Sequence, residues 1–150
     1  RNYKRIYLLA MSYLNNHCDS EDIMQSVFMK LLKTDKEFNS EEHIDKWLTI
    51  TCIHKCKDFF RLRYHKSTVS LDELNEIYTF DSSENVDIFN SIQSLPQKER
   101  VVVHLFYYED LTVNEIAKLI KSNSSTVKTR LQRARKRLRK ILGDDWIDEQ

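Results

Sequence analysis

The sequence predicts an all-α chain built as two small helical domains joined by an acidic flexible linker, and three observations carry that expectation. One Gly and one Pro occur in 150 residues, too few for the tight turns that sheets and hairpins need. Apolar residues recur at spacings of three and four through most of the chain, the period of a helix with one buried side. Between residues 67 and 85 that period stops, and Ser, Thr, Asp and Glu take over, the composition of a linker. The predicted boundaries are therefore 1–66, 67–85 and 86–150. Each domain lies near the lower size limit for a self-supporting core.

The first domain reads as three helices. Tyr3 to Leu14 carries Ile6, Tyr7, Leu9, Ala10, Tyr13 and Leu14 on an apolar face, and the polar run Asn15-Asn16-His17-Cys18 ends it. Asp19 or Ser20 is expected to cap the next helix, with Glu21 and Asp22 suiting the positive end of its dipole. Ile23, Met24, Val27, Phe28, Leu31 and Leu32 form its stripe. After a polar loop near Asn39, a third helix should run from Glu41 to Arg63, with Ile44, Trp47, Leu48, Cys52, Phe59 and Phe60 turned inward.

The second domain opens with helical patterning from Val86 to Leu95. Pro96 suits the first turn of a further helix, where a missing N–H costs nothing, and that helix carries Val101, Val102, Leu105 and Phe106. Thr112 and Glu115 have the spacing of a capping box, ahead of Ile116, Ala117, Leu119 and Ile120. Asn123 or Ser124 then caps a long basic helix with Val127, Leu131, Ala134, Leu138, Ile141 and Leu142 at helical spacing. A short helix, a tight turn and a longer basic helix make the helix-turn-helix layout.

Hydrophobic residues are 41% and charged residues 31%, ordinary for a helical protein in water, and net charge is only +1. The charges are segregated. Lys128, Arg130, Arg133, Arg135, Lys136, Arg137, Arg139 and Lys140 follow one another with no acid among them. Asp72, Glu73, Glu76, Asp81, Glu84 and Asp87 occupy a stretch with no Lys or Arg. Such segregation points to electrostatic partners. No apolar run approaches the roughly 20 residues of a membrane span, and no signal peptide is visible. The chain begins at Arg1 rather than Met, as expected of a chain lacking a short N-terminal piece. Three cysteines without framework spacing suggest a reducing cytosol.

In a helix-turn-helix the second helix enters the major groove and its N-terminal side chains reach base edges. Here those are Ser124, Ser125, Thr126, Lys128 and Thr129, then Gln132 and Arg133, while Arg130, Arg135, Lys136 and Arg139 suit phosphates. A second basic cluster, Arg61, Arg63, His65 and Lys66, follows Lys55 and Lys57, with Trp47, Phe59, Phe60 and Tyr64 interleaved. That mixture could hold single-stranded DNA, although aromatics at helical spacing are more often core. Asp19, Glu21 and Asp22 are better explained as helix N-terminal acids than as a metal site. Cys52 and Cys56 lack the convergent ligands of structural zinc, since His54 points elsewhere on the helix. No nucleophile–base pair, Gly-rich phosphate loop or paired-carboxylate arrangement stands out. No enzyme, no cofactor and no small-molecule substrate are expected.

Two stretches in the right order resemble the sigma factor family of bacterial transcription. Asp19-Ser-Glu-Asp-Ile-Met-Gln-Ser-Val-Phe28 is similar to the family's region 2.2 pattern, and Trp47-Leu48 with Asp58 and Arg61 to regions 2.3 and 2.4. Leu95-Pro96, Arg100, Glu115-Ile-Ala117 and Thr126 to Arg135 resemble region 4. The lack of a region 3 between them resembles the extracytoplasmic-function (ECF) group. The resemblance implies a three-helix region 2 and a helix-turn-helix region 4. It also implies an adaptor that binds core RNA polymerase and directs initiation at chosen promoters.

Site residues follow from the resemblance. Asp19, Glu21, Asp22, Gln25 and Phe28 would grip the β′ clamp helices. Phe38 and His54 would line the pocket for an unpaired −10 base, with Lys57, Arg61 and Arg63 beside them on the promoter; His54 stands where the family often has Asn. Ser124, Thr126, Lys128, Thr129, Arg130, Gln132, Arg133 and Lys136 would contact the −35 element, and the other face of region 4 would meet the β flap. Lys121 replaces a turn Gly common in the family, so a differently shaped turn is expected. The acidic linker is either a solvated tether or a nucleic-acid mimic in the RNA-exit region. An anti-sigma factor is the expected inhibitor of this cytoplasmic protein, and could hold it at the membrane.

Two other readings compete. A stand-alone helix-turn-helix DNA-binding transcription regulator would leave the Asp19–Phe28 motif unexplained. A helical interaction protein would use the basic helices on protein partners instead.

Overall fold

The computed structural model of the chain describes residues 2–66 and 83–143, with side chains for 2–63 and 88–143. Every element among them is helical: α1 (Asn2–Leu14), α2 (His17–Lys33), α3 (Glu41–Lys66), α4 (Ser83–Gln93), α5 (Gln97–Tyr107), α6 (Val113–Ile120) and α7 (Ser124–Leu142). Two compact units result, Arg1–Glu76 and Ile77–Gln150. Residues 67–82 of the expected linker, including the turn anticipated at Leu71 to Ile77, lie outside the described residues. Residues 83–85 already belong to α4.

In the first unit α1 packs against both α2 and α3. Ile6, Leu9, Ala10 and Met11 are buried with Val27 of α2 and Leu48, Cys52, Ile53 and Cys56 of α3. Each such large side chain contributes about 1.5–3 kcal/mol on burial. Arg5 braces the packing, donating from Nη1 to Thr49 Oγ1 at 2.7 Å and from Nη2 to the Asp45 carbonyl at 3.1 Å. Cys52 and Cys56 are core residues. The Cys56 thiol is held well above its ordinary pKa, first by its hydrogen bond with Cys52 and then by burial, which disfavours the thiolate a metal needs.

The corner between α1 and α2 corrects an expectation. Asn15 adopts a left-handed conformation, φ 49°, which Asn tolerates better than most residues. The next helix can therefore start at once. Asn16, rather than Asp19 or Ser20, is the cap, its side chain accepting the Asp19 N–H at 2.9 Å. The α2 stripe is also narrower than its sequence suggests, because Val27 is its one fully buried apolar residue and Leu32 is 79% exposed. Leu32 projects away from the side of α2 that meets α1 and α3.

In the second unit α7 packs against α4, α5 and α6. Pro96 sits at the start of α5 as expected. Arg100, buried one turn later, donates from Nη1 to the carbonyls of Gln93 and Leu95 at 3.3 and 3.2 Å. It thus satisfies acceptors left open where α4 ends. Burial lowers its guanidinium pKa to about 10, still protonated at neutral pH.

Both signals around the short helix α6 are in place. Thr112 Oγ1 accepts the Glu115 N–H at 3.2 Å, and Glu115 Oε1 accepts the Thr112 N–H at 3.2 Å, a complete capping box. The α6–α7 turn is a second correction. Lys121 takes up the left-handed conformation, φ 56° and ψ 51°, that a glycine would adopt. The Ser122 N–H bonds to the Ala117 carbonyl at 2.9 Å and the Lys121 N–H to Lys118 at 3.4 Å, the Schellman pattern. Those bonds and the packing of α6 on α7 outweigh a strain of about 1–2 kcal/mol, so the turn keeps its shape without the glycine. Asn123 caps α7, accepting the Thr126 N–H at 2.8 Å, and Gly143 ends it at φ 86°.

Candidate nucleic-acid interface

Charge is sorted most clearly on α7. Val127, Leu131, Ala134 and Leu138 are buried along one side. At about 100° per residue, Ser125, Thr129, Gln132 and Lys136 run along the opposite side, all exposed. Lys128 and Arg133 flank that line, with Arg139 and Lys140 further along. Ser124, Thr126 and Arg130 lie nearer the core and are half-buried. Thr129 donates its hydroxyl to the Ser125 carbonyl at 3.0 Å, so its lone pairs and methyl group remain for a ligand.

Two cations of the same run have partners on α5. Arg135 Nε donates to the Tyr107 hydroxyl at 3.0 Å, and its guanidinium lies 5.6 and 5.9 Å from the ring centres of Phe106 and Tyr107. Arg137 pairs at 3.0 Å with Glu99 of α5, a buried carboxylate. Arg135, read from the sequence as a phosphate ligand, docks α7 onto α5.

α3 presents a different surface. His43, Trp47, His54, Asp58 and Arg61 recur on the side opposite Leu48, Cys52 and Cys56, with half-buried Lys57 alongside. Phe38, from the segment between α2 and α3, sets its ring edge-on to Trp47 at 5.8 Å and to His43 at 5.2 Å. Phe38 and His54 are therefore served by one face of α3. Arg61 on that face is paired with Asp58 at 2.8 Å. Arg63 is not on it: nine residues beyond His54, it points to the other side of the helix. There it lies 3.7 Å from Asp19 and 5.5 Å from the Phe59 ring centre, and with Leu62 these residues line an open groove.

On α2, Glu21, Asp22, Gln25 and Phe28 share a side, whereas Asp19 stands apart beside Arg63. His17 links this patch to α1, its Nδ1 2.6 Å from the Tyr7 hydroxyl and its Nε2 3.1 Å from Glu21. The Phe28 ring packs on Tyr3 at a tilt of 37°, 4.3 Å between ring centres.

Residues 1–65 match the family described as Sigma-70 region 2, and residues 86–138 match Sigma-70, region 4. RNA polymerase sigma factor SigV of Bacillus subtilis is 33% identical over 136 residues, spanning 89% of this chain and 81% of that one. The chain belongs to the sigma-70 family of RNA polymerase sigma factors. ECF RNA polymerase sigma factor SigW of the same organism is 31% identical over 157 residues, covering 93% and 84% of the two chains, and sets this sigma factor in the ECF group. The fold is shared with the sigma factor RpoE, solved in complex with the anti-sigma factor NepR from Bartonella quintana. There the TM-score is 0.71 at 22% identity, over 95% of this chain and 92% of that one.

As a sigma factor, the chain directs promoter-specific transcription initiation by RNA polymerase. Three features of its surfaces escaped sequence reasoning. Met29 and Leu32, 50% and 79% exposed, extend the Gln25 side of α2 as an apolar edge, and their spacing of four and seven from Gln25 was the available signal. His43 shares the Phe38 face, signalled by its place four residues before Trp47. The partners of Arg135 and Arg137 had no signal, because they lie on another helix.

Proposed function

We propose that this ECF sigma factor divides its work among three helix faces. Residues 1–66 bind core polymerase and the −10 element, and residues 86–150 bind the −35 element. The observation that carries the reading is the sorting of α7, whose polar line Ser125, Thr129, Gln132 and Lys136 is exposed and flanked by Lys128 and Arg133. A helix of that kind in the major groove offers Thr129, Gln132, Lys128 and Arg133 to base edges and Lys136 to phosphate. Arg130, Ser124 and Thr126, half-buried, suit the groove walls better than base edges.

In the same reading, Glu21, Asp22, Gln25 and Phe28 meet the β′ clamp helices. The remaining face of region 4 meets the β flap. Phe38 and His54 hold an unpaired −10 base, with Lys57 and Arg61 at the strand backbone. Asp19 and Arg63 are assigned to the edge of these surfaces, since each already engages the other. The chain contributes binding and positioning and no catalytic step of its own. RpoE is solved with an anti-sigma factor, and we assign this chain a partner of the same class, which could tether it at the membrane.

Run-off transcription with purified core on genomic fragments, combined with footprinting, tests the reading. Promoter protection and discrete transcripts are expected only when core is added. Protection by the chain alone would favour a stand-alone helix-turn-helix regulator, and failure to bind core at moderate salt would overturn the assignment.

A further inference from the structure

The start of α3 is built like a capping box with a histidine in place of the acid. Ser40 Oγ accepts the His43 N–H at 3.1 Å, and His43 Nδ1 reaches back to accept the Asn39 N–H at 3.3 Å. In the box that opens α6, Glu115 returns to the cap residue itself; here the imidazole reaches one residue further, into the segment that carries Phe38. The same ring lies edge-on to Phe38 at 71°, while Trp47, one turn later on α3, meets Phe38 at 76°. Two T-shaped contacts from one helix face fix the plane of the Phe38 ring, and hence the plane against which a base can stack.

We propose that His43 is a positioning residue for −10 recognition, one that ties the Phe38 segment to α3 and sets the angle at which Phe38 meets an unpaired base. The proposal rests on the reading of Phe38 and His54 as the base pocket. His43 acts through Phe38 and need not touch the base.

Holoenzyme assembled from core and the full-length chain would be used to select from a pool of pre-melted duplexes with randomised unpaired and upstream duplex positions. The enriched bases would then be sequenced for wild type, Phe38→Ala, His54→Ala, His43→Ala and His43→Gln. Gln retains an acceptor at similar reach. Base discrimination at the preferred unpaired position should fall about three- to tenfold in His43→Ala, the scale of one missing hydrogen bond together with its ring packing, and largely return in His43→Gln. Enrichment at the −35 positions serves as the internal control and should be unchanged. Wild-type discrimination in His43→Ala, alongside its loss in Phe38→Ala, would overturn the proposal and leave the pocket standing. Loss of −35 enrichment in His43→Ala, or no recovery in His43→Gln, would equally overturn it, as a general structural role. Full discrimination in both Phe38→Ala and His54→Ala would remove the pocket itself.

Discussion

α3 and α7 are both basic helices, yet they handle charge in opposite ways. On α7 no acid interrupts the cations, and those opposite the core stand exposed while Arg135 and Arg137 are anchored to α5. On α3 both described arginines have acid partners, Arg61 in Asp58 one turn away and Arg63 in Asp19 of α2. What α3 adds is aromatic surface, with Phe38 held against Trp47 and His43. An unneutralised row of cations suits the dense phosphate charge of a duplex. A muted charge beside clustered aromatic rings suits a single strand, whose bases are open to π contact. Two helices rich in Lys and Arg thus lead to different ligands.

The strongest way to break this contrast is to strip α7. Lys128, Arg133 and Lys136 changed together to alanine should weaken duplex binding on the order of 100-fold near 0.1 M salt. The salt slope should fall by about 0.9 for each phosphate that is no longer neutralised. Arg61→Ala, on the paired helix, should shift that slope by less than about 0.5. Salt titrations of holoenzyme on duplex promoter DNA would show it, and equal slopes for the two variants would end the distinction.

A smaller effect is expected from the aromatic side. Trp47→Ala removes one of the rings that hold Phe38, and should reduce capture of a single strand by holoenzyme about tenfold. Duplex binding should stay near wild type. Fluorescence anisotropy on labelled single-stranded and duplex probes separates the two, and a parallel loss on both would make Trp47 a fold residue only.

Within α7 an arginine paired with α5 and one facing away from it can be told apart by stability. Arg137→Ala leaves the buried Glu99 carboxylate without its partner and should cost about 1 kcal/mol. Arg133→Ala should stay within about 0.5 kcal/mol. Hydrogen exchange of α5 and α7 amides reports both, and identical protection would mean that the Glu99 pair does not hold the helices together. The smallest change should be a gain: Lys121→Gly relieves left-handed strain and should stabilise α6 by about 0.5–1 kcal/mol, net of the glycine's own entropy. Slower exchange in α6 is the sign to look for.

Much of the fold is legible in the sequence because its signals are local. The Thr112–Glu115 box, the Pro96 start and the Val127–Leu138 stripe each involve residues within a turn or two of one another. The α2 cap is not legible in that way, because Asn16, Asp19 and Ser20 are all able caps. The choice among them depends on how tightly Asn15 turns the corner. The shape of the turn at Lys121 is hidden too, because its strain is outweighed by hydrogen bonds and packing that a residue-by-residue propensity does not contain. Of the candidate interfaces, the polar line on α7 can be drawn from periodicity. The separation of Arg63 from His54 can be drawn as well, since nine helical residues leave the two half a turn apart around the axis.

By itself, then, the sequence determined that this sigma factor has a basic helix in a helix-turn-helix and which residues lie opposite its apolar stripe. Helical period and capping are short-range properties, and they write themselves into spacing. Tertiary structure alone decided which partners the cations meet. Arg133 and Arg135 are two residues apart and chemically identical, but only Arg135 faces Tyr107 and Phe106. Helical period already sets Arg135 nearer the apolar stripe than Arg133, but the rings it meets there depend on where α5 packs, and a long-range contact leaves no mark on local spacing.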